Sequence, residues 1–419
     1  MKYNFEQKIL DFKQFDYNLS GFFARRENPQ KCIGIPELFL KLLWIKKQNK
    51  DLLFISLDIL YIPGELSKKI YDYLEAKYNI EKQNIIFNAT HTHSAPGIEK
   101  KFDKFVNQKI IKYIFDCIVK IIDKSEFKDG KLSFTTFKSQ KSMWISRRKF
   151  GKNIRKLFLK ESMLMLPNGQ NNIDDNVRLI YILDKNNKLD LLIYNFSCHP
   201  VFNRSDSISS DFIGKISEKL EKELNTNTMF LQGFLGDIRP NFTTQNIFEV
   251  SIIDKLKIIA NKKIFKKYNQ DDFDKFCTIV SSEILENLKY KNTSTIKIFN
   301  IKQFKYKIFS QSEKYTIEFC VKLIRVNKNL FISIPAEVNS KYYVMLSKKF
   351  NDFNIIPMGL ADDIIGYLPF YDEVKEGGYE VNSIVNYGID TPFSEISLRR
   401  FYFSLQNDIE GFIIGIKSE

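Results

Sequence analysis

The sequence predicts an α/β fold of mixed β-sheets with flanking helices. Three observations carry that expectation. Apolar runs of strand length alternate with longer amphipathic runs of helix length. Several of the strand-like runs end in polar, chemically capable residues, the pattern of a site built along one edge of a sheet. All three histidines of the 419-residue chain sit in two short motifs at such ends.

Taken in order, residues 52–58 read as a buried strand ending in Asp58, and residues 64–78 as a helix. Residues 84–88 form a second strand that runs straight into Asn88-Ala89-Thr90-His91-Thr92-His93-Ser94-Ala95-Pro96-Gly97. Residues 105–122 are a strongly apolar helical stretch. Residues 177–183 and 189–196 pair around the polar turn 184–188, and the second delivers Ser197-Cys198-His199-Pro200. Residues 211–224 are an amphipathic helix with Asp211 as its N-cap. The strand 229–232 leads into Gly233-Phe234-Leu235-Gly236-Asp237, and the strand 330–334 into Pro335-Ala336-Glu337. Residues 124–142 and 295–318 alternate apolar and polar, read as hairpin strands, and carry no functional signal. With no Gly/Ser-rich linker, Pro-rich tract or internal repeat, residues 1–419 are expected to form a single catalytic unit.

Composition narrows the function classes. Hydrophobic content of 44% and charged content of 27% are those of an ordinary globular protein. The net charge of +14 raises a nucleic-acid or membrane-surface partner. The lysines are scattered through the chain, however, and the densest run, Asn261 to Lys267, reads as a solvated helix face, so a nucleic-acid role is not expected. No run of about 18 apolar residues exists, so no stable membrane insertion is expected. Cys32, Cys117, Cys198, Cys277 and Cys320 are odd in number and widely spaced, and Met1 to Glu6 lacks a long apolar run. Reduced thiols and a cytoplasmic protein are the expectation. Oligomeric state is not legible.

The histidines point to a metal. Neutral imidazole is the commonest zinc ligand, and in an extended segment His91 and His93 face one way. One ring could hold metal while the other handles substrate. Two histidines and a carboxylate are a common catalytic zinc set. Glu337, Asp211, Asp237 and Asp58 all qualify as the carboxylate, and spacing does not choose among them. Each also has a bland reading, as solvated charge, helix cap, turn residue or buried acceptor.

Thr90-His91-Thr92-His93-Ser94-Ala95-Pro96-Gly97 resembles the THTHSGPG signature of the neutral/alkaline, non-lysosomal ceramidases. Other blocks agree in order: Ser20-Gly21-Phe22-Phe23-Ala24-Arg25-Arg26; Ser56-Leu57-Asp58; His199-Pro200 followed by Ser210-Asp211-Phe212; Gly236-Asp237-Ile238-Arg239-Pro240-Asn241 against GDVSPN; Ile334-Pro335-Ala336-Glu337; and Gly366-Tyr367-Leu368-Pro369 to Gly378-Tyr379-Glu380. The resemblance runs from about Gly21 to Glu380. It implies a ceramidase-like catalytic domain with Zn2+ on His91, His199, Glu337 and Tyr367. It places His93, Arg147 and Tyr379 at the scissile amide, and Asp237 and Arg239 at the substrate. Arg148, beside Arg147, is an equal candidate for the same contact. Such a zinc polarises a carbonyl and acidifies water, His93 moves the proton, and Tyr379 or Arg147 faces the oxyanion. Asp58 is a candidate acceptor for a histidine N–H.

The departures redirect the substrate. Arg239 stands where the family has the serine of GDVSPN, and Ala95 where it has glycine. An arginine brings a fixed positive charge and no nucleophile. The chain is too short for the family's C-terminal immunoglobulin-like domain. These features predict hydrolysis, by metal-activated water, of a linear N-acyl amide in a soluble, anionic small molecule. A ceramide or N-acyl lipid amidase and a non-catalytic metal- or ligand-binding relative are the alternatives.

Overall fold

The structure is a computed structural model. It describes residues 1–22, 37–47, 49–101, 103, 105–155, 160–289 and 295–415. Strands β1 (Lys2–Ile9), β2 (Phe39–Lys47) and β3 (Lys50–Leu57) form an antiparallel meander. Helix α1 (Gly64–Tyr78) returns the chain to β4 (Ile85–Ala89), which joins β3 in parallel. Helix α2 (Gln108–Asp123) leads to β5 (Lys128–Lys138), which pairs with the start of β1. β6 (Trp144–Lys152) and β7 (Glu161–Asn168) leave this sheet; β8 (Asn176–Asp184) and β9 (Leu189–Phe196) rejoin it. Helix α3 (Asp211–Leu224) crosses to β10 (Asn227–Gln232), parallel to β9. The result is an eight-stranded mixed sheet in the order β10-β9-β8-β5-β1-β2-β3-β4.

β11 (Ile238–Pro240) pairs with β6 in a small sheet ordered β11-β6-β7. β12 (Thr243–Thr244) and β13 (Ile264–Phe265) pair around helix α4 (Ile252–Asn261), and α5 (Gln270–Glu286) follows. β14 (Phe299–Phe309), β15 (Thr316–Val326), β16 (Asn329–Ser333) and β18 (Asn354–Met358) form the second large sheet. Between β16 and β18 lie β17 (Glu337–Val338) and α6 (Lys341–Lys349); after β18 come β19 (Tyr367–Leu368), α7 (Tyr379–Asn382) and α8 (Glu395–Ile414).

Strand alternation turns this order into four layers. In β3 and β4, Leu53, Ile55, Ile85 and Phe87 face α1 and α2. Phe54 and Ile86, one residue out of phase, face Phe331 and Ile356 of the second sheet. The β8-β9-β10 half repeats the scheme under α3 and α5, and α6 and α8 cover the far face of the second sheet. Each fully buried Leu, Ile or Phe stabilises the stack by roughly 1.5–3 kcal/mol. α1 and α3 both stop at an asparagine in the left-handed conformation, Asn79 (φ 55°) and Asn225 (φ 46°), which closes the last turn.

Most expected elements stand where the pattern put them. Three do not. Residues 124–142 hold one long strand, β5, paired with β1 and β8 rather than with itself, whereas 295–318 does open the β14–β15 hairpin. The basic run 261–267 is not a helix face: α4 ends at Asn261 and the chain turns into β13, burying Ile264. Asp211 is the first residue of α3, not its cap. It has φ 54°, and its carboxylate accepts from the Phe212 and Asn203 amides. Cys117, Cys198, Cys277 and Cys320 are free thiols; Cys32 lies outside the described residues.

A candidate metal centre and its substrate rim

The centre is assembled from ends of strands. β4 carries the chain into Thr90 and His91, whose amides donate to the Leu57 and Ile59 carbonyls at 2.9 and 3.0 Å. β9 ends before His199, whose amide donates to the Ile238 carbonyl. Glu337 and Tyr367 are register partners in the β17–β19 pair, which sets a carboxylate beside a phenol. Gly236 lets the chain pass Glu337: a Cβ there would lie 2.6 Å from the Glu337 carbonyl oxygen.

His91, His199 and Glu337 are all buried. His91 Nδ1 lies 3.0 Å from the Leu60 carbonyl and His199 Nδ1 lies 2.8 Å from the Ile238 carbonyl. A carbonyl only accepts, so each Nδ1 carries the proton and each Nε2 presents a lone pair. Both Nε2 atoms point at one carboxylate oxygen, Glu337 Oε2, at 3.4 Å from His91 and 3.1 Å from His199. Burial, with Arg147 adding to it, pushes His199 down to about 4, so it stays neutral near pH 7. Three lone pairs converging without a proton between them call for a cation. Ligands bonded at about 2.0–2.1 Å in a tetrahedron stand roughly 3.3 Å apart, and the two observed separations bracket that value. Tyr61, which sequence reading missed, donates to Glu337 Oε1 at 2.6 Å and orients it.

His91 and His93 meet by a different route from the one expected. His91 is in the left-handed region (φ 70°), so strand alternation does not align the two rings. A non-glycine residue held there costs of order 1–3 kcal/mol. The kink sets the rings edge to face, with centroids 4.9 Å apart. The ligating atoms of His91, His93 and His199 lie within 4.8 Å of one another, so a three-histidine set is also available for a metal. His93 is half-buried, with the Phe22 ring 4.9 Å from its own. Gly21 (φ 106°) is pressed against it, where a Cβ would come within 2.7 Å of His93 Nδ1. Residues 23–26 of the glycine–arginine block lie outside the described residues.

The structure separates the two neighbouring arginines. Arg147 is buried between the rings of Tyr367 and Tyr379, its guanidinium carbon 5.7 and 5.4 Å from their centroids. Its Nη2 donates to the Tyr367 hydroxyl at 3.0 Å and to the Gly236 carbonyl, and its Nε donates to Glu380 at 2.7 Å. Burial opposes that charge, but Tyr367 and Glu380 raise it well above the ordinary range. Arg148 turns the other way, to Glu380, Glu376 and the Gly377 carbonyl. Arg147 therefore positions Tyr367, and the half-buried Tyr379 is left as the hydroxyl beside the centre. Glu380 was not singled out as a site residue, although it adjoins Tyr379.

Two other expectations need correcting. The Asp237 carboxylate is turned into the frame: it accepts from the Ser340 amide at 2.7 Å and from the Ser146 and Ser340 hydroxyls, tying β6 to the turn after β17. Asp58 does not hold His91 or His199, whose Nδ1 protons go to backbone carbonyls. It accepts from the Phe39 amide instead, and burial raises it to about 6. Arg239 lies on β11, next to Ile238, whose carbonyl holds His199 Nδ1. Its Nε donates to the Tyr268 hydroxyl at 2.7 Å and its guanidinium packs on Phe265 and Tyr268. Arg204, unnoticed in the sequence, lies over Phe22 and the same Tyr268 ring at 5.5 and 5.9 Å. Among the described residues neither arginine has a carboxylate partner.

Two buried imidazoles and a buried carboxylate thus meet at one point, with a third histidine and a tyrosine beside them, on a four-layer α/β frame, and the three histidines could hold a metal ion. The chain belongs to the neutral/alkaline non-lysosomal ceramidases, whose N-terminal family model matches residues 29–251. The fold is similar to that of neutral ceramidase from Pseudomonas aeruginosa. The TM-score is 0.70 at 14% identity over 97% of this chain and 73% of that one. A ceramidase complexed with C2 gives a TM-score of 0.69 at 14% identity, over 96% and 73%.

Proposed function

We propose that this chain is a zinc-dependent hydrolase that cleaves the linear N-acyl amide bond of a small anionic molecule. Family and fold support an amide hydrolase. The observation that carries the metal is the convergence of two Nδ1-protonated imidazoles on Glu337 Oε2. His91, His199, Glu337 and Tyr367 would hold the ion, which supplies Lewis acidity toward a carbonyl and toward water. His93, within reach of that point, takes the proton from water and returns it to the leaving nitrogen. Tyr379 donates to the oxyanion. Arg147 keeps the Tyr367 oxygen turned inward.

The anionic substrate rests on Arg239 and Arg204. Arg239 is partly buried without a carboxylate, which is costly unless an anion arrives to pair with it, and the exposed Arg204 adds a second positive charge. Both arginines share Tyr268, and Phe22 links Arg204 to the His93 ring. The test has two parts. Metal content is measured for the protein and for His91→Ala and His199→Ala; about one equivalent of zinc, lost in both variants, is expected. No metal after zinc is supplied overturns the hydrolase. A panel of neutral and anionic N-acyl amides then compares the protein with Arg239→Ser, and an unchanged preference overturns the anionic reading. A second reading, an N-acyl lipid amidase, is favoured by the exposed apolar face of α4.

A further inference from the structure

We propose that α4 and the lysines around it form a docking surface for an anionic lipid bilayer. α4 is ten residues long and buries one side chain, Ile258. That residue anchors it through a satellite cluster with Leu166 and Ile264. Ile252, Ile253, Leu256 and Ile259 fall at one, four and seven residues from the first, a single helical stripe on the side away from Ile258. Their exposures reach 77% at Ile252 and 72% at Ile259, and Phe248, just before the helix, is 86% exposed. Solvent does not reward such a stripe, so something covers it.

Charge selects the occupant. Lys255 and Lys257 border the stripe on its two sides, and Lys262, Lys263, Lys266 and Lys267 follow directly. Residues 247–267 hold six lysines and two acidic residues in a chain of net charge +14. Lys255, Lys262, Lys263 and Lys267 have no carboxylate partner among the described residues. Apolar side chains on one face with lysines along both margins are the chemistry of a helix lying in the interface of a membrane with anionic headgroups. Among the described residues no helix is long and apolar enough to span a membrane, so the contact is peripheral. The surface also adjoins the rim: Lys262 and Lys263 connect α4 to β13, where Phe265 lies 4.3 Å under the Arg239 guanidinium. Docking there brings the arginine rim to the headgroup layer. The proposal does not depend on the reaction.

Vesicle flotation tests it with the full chain, phosphatidylcholine alone or mixed with phosphatidylglycerol, at low and high salt. Binding to the mixed vesicles, weakened by salt, is expected. Leu256→Glu with Ile259→Glu should lower the bound fraction about tenfold or more, and Lys262→Glu with Lys263→Glu should remove the preference for anionic lipid. All replaced side chains except the half-exposed Lys263 are exposed, so circular dichroism and bound metal should match the parent protein. No binding to mixed vesicles overturns the proposal. So does binding that the α4 variants leave unchanged, or self-association by ultracentrifugation that the same variants abolish without vesicle binding.

Discussion

The histidine centre and the arginine rim are neighbours built on opposite principles. At the centre the side chains are oriented by backbone or by buried partners: Nδ1 of His91 and His199 by carbonyls, Glu337 by Tyr61, Arg147 by Glu380. At the rim Arg239 and Arg204 rest on aromatic rings, and the adjoining α4 is held by one buried isoleucine and by the bonds of Asn261 to the Lys152 backbone. A centre buried between layers cannot change without uncovering charge, whereas the rim can exchange a serine for an arginine at little cost to the frame.

The sharpest way to break this contrast is at the centre. Glu337→Gln removes the charge on which both Nε2 atoms converge, and should abolish metal retention and lower turnover by about three orders of magnitude or more. Plasma mass spectrometry and activity measure it; retained zinc would mean that the three-histidine set is the true one. Arg147→Ala should lower stability by about 1.5–3 kcal/mol, because it takes from buried Glu380 one of its two arginine partners and leaves Arg148 as the other, and denaturant unfolding reads this directly. If the rim is as independent as it looks, Arg239→Ser leaves the melting temperature within a degree or two. It should still cut the preference for anionic amides by about tenfold to a hundredfold.

The smallest effect is in pH. Burial raises Glu373, with Arg148 opposing, from 4.5 to about 8. Its proton is bound more tightly in the folded state, so the associated stability is present below about 4.5 and is lost as pH rises toward about 8. Glu373→Gln lacks that loss. Its melting temperature relative to the parent should rise between those two pH values, by a few degrees; a flat difference would show that the acid is not buried as described.

Much of this was legible in the residues. Short apolar runs placed β3, β4, β8, β9 and β16, and apolar faces placed α1 and α3, because a strand buried on both faces reads as a nearly continuous apolar run. The histidine motifs and the ordered ceramidase-like blocks named His91, His199, Glu337 and Tyr367, since a metal needs those donor types wherever they come from. Tyr61, Glu380, Arg204 and Tyr268 left no such mark. Each is an ordinary residue type that matters only through a partner far away in the chain: Tyr61 through Glu337, Tyr268 through Arg239. Asp237 and Asp58 show the converse. Their types suited substrate or histidine, and folding gave them to Ser340 and Phe39 instead. Donor chemistry and periodicity are local, and the sequence shows them. Which buried charge meets which partner, and whether a lysine-edged helix turns its apolar stripe inward or outward, depends on contacts between distant segments that only the packed layers create.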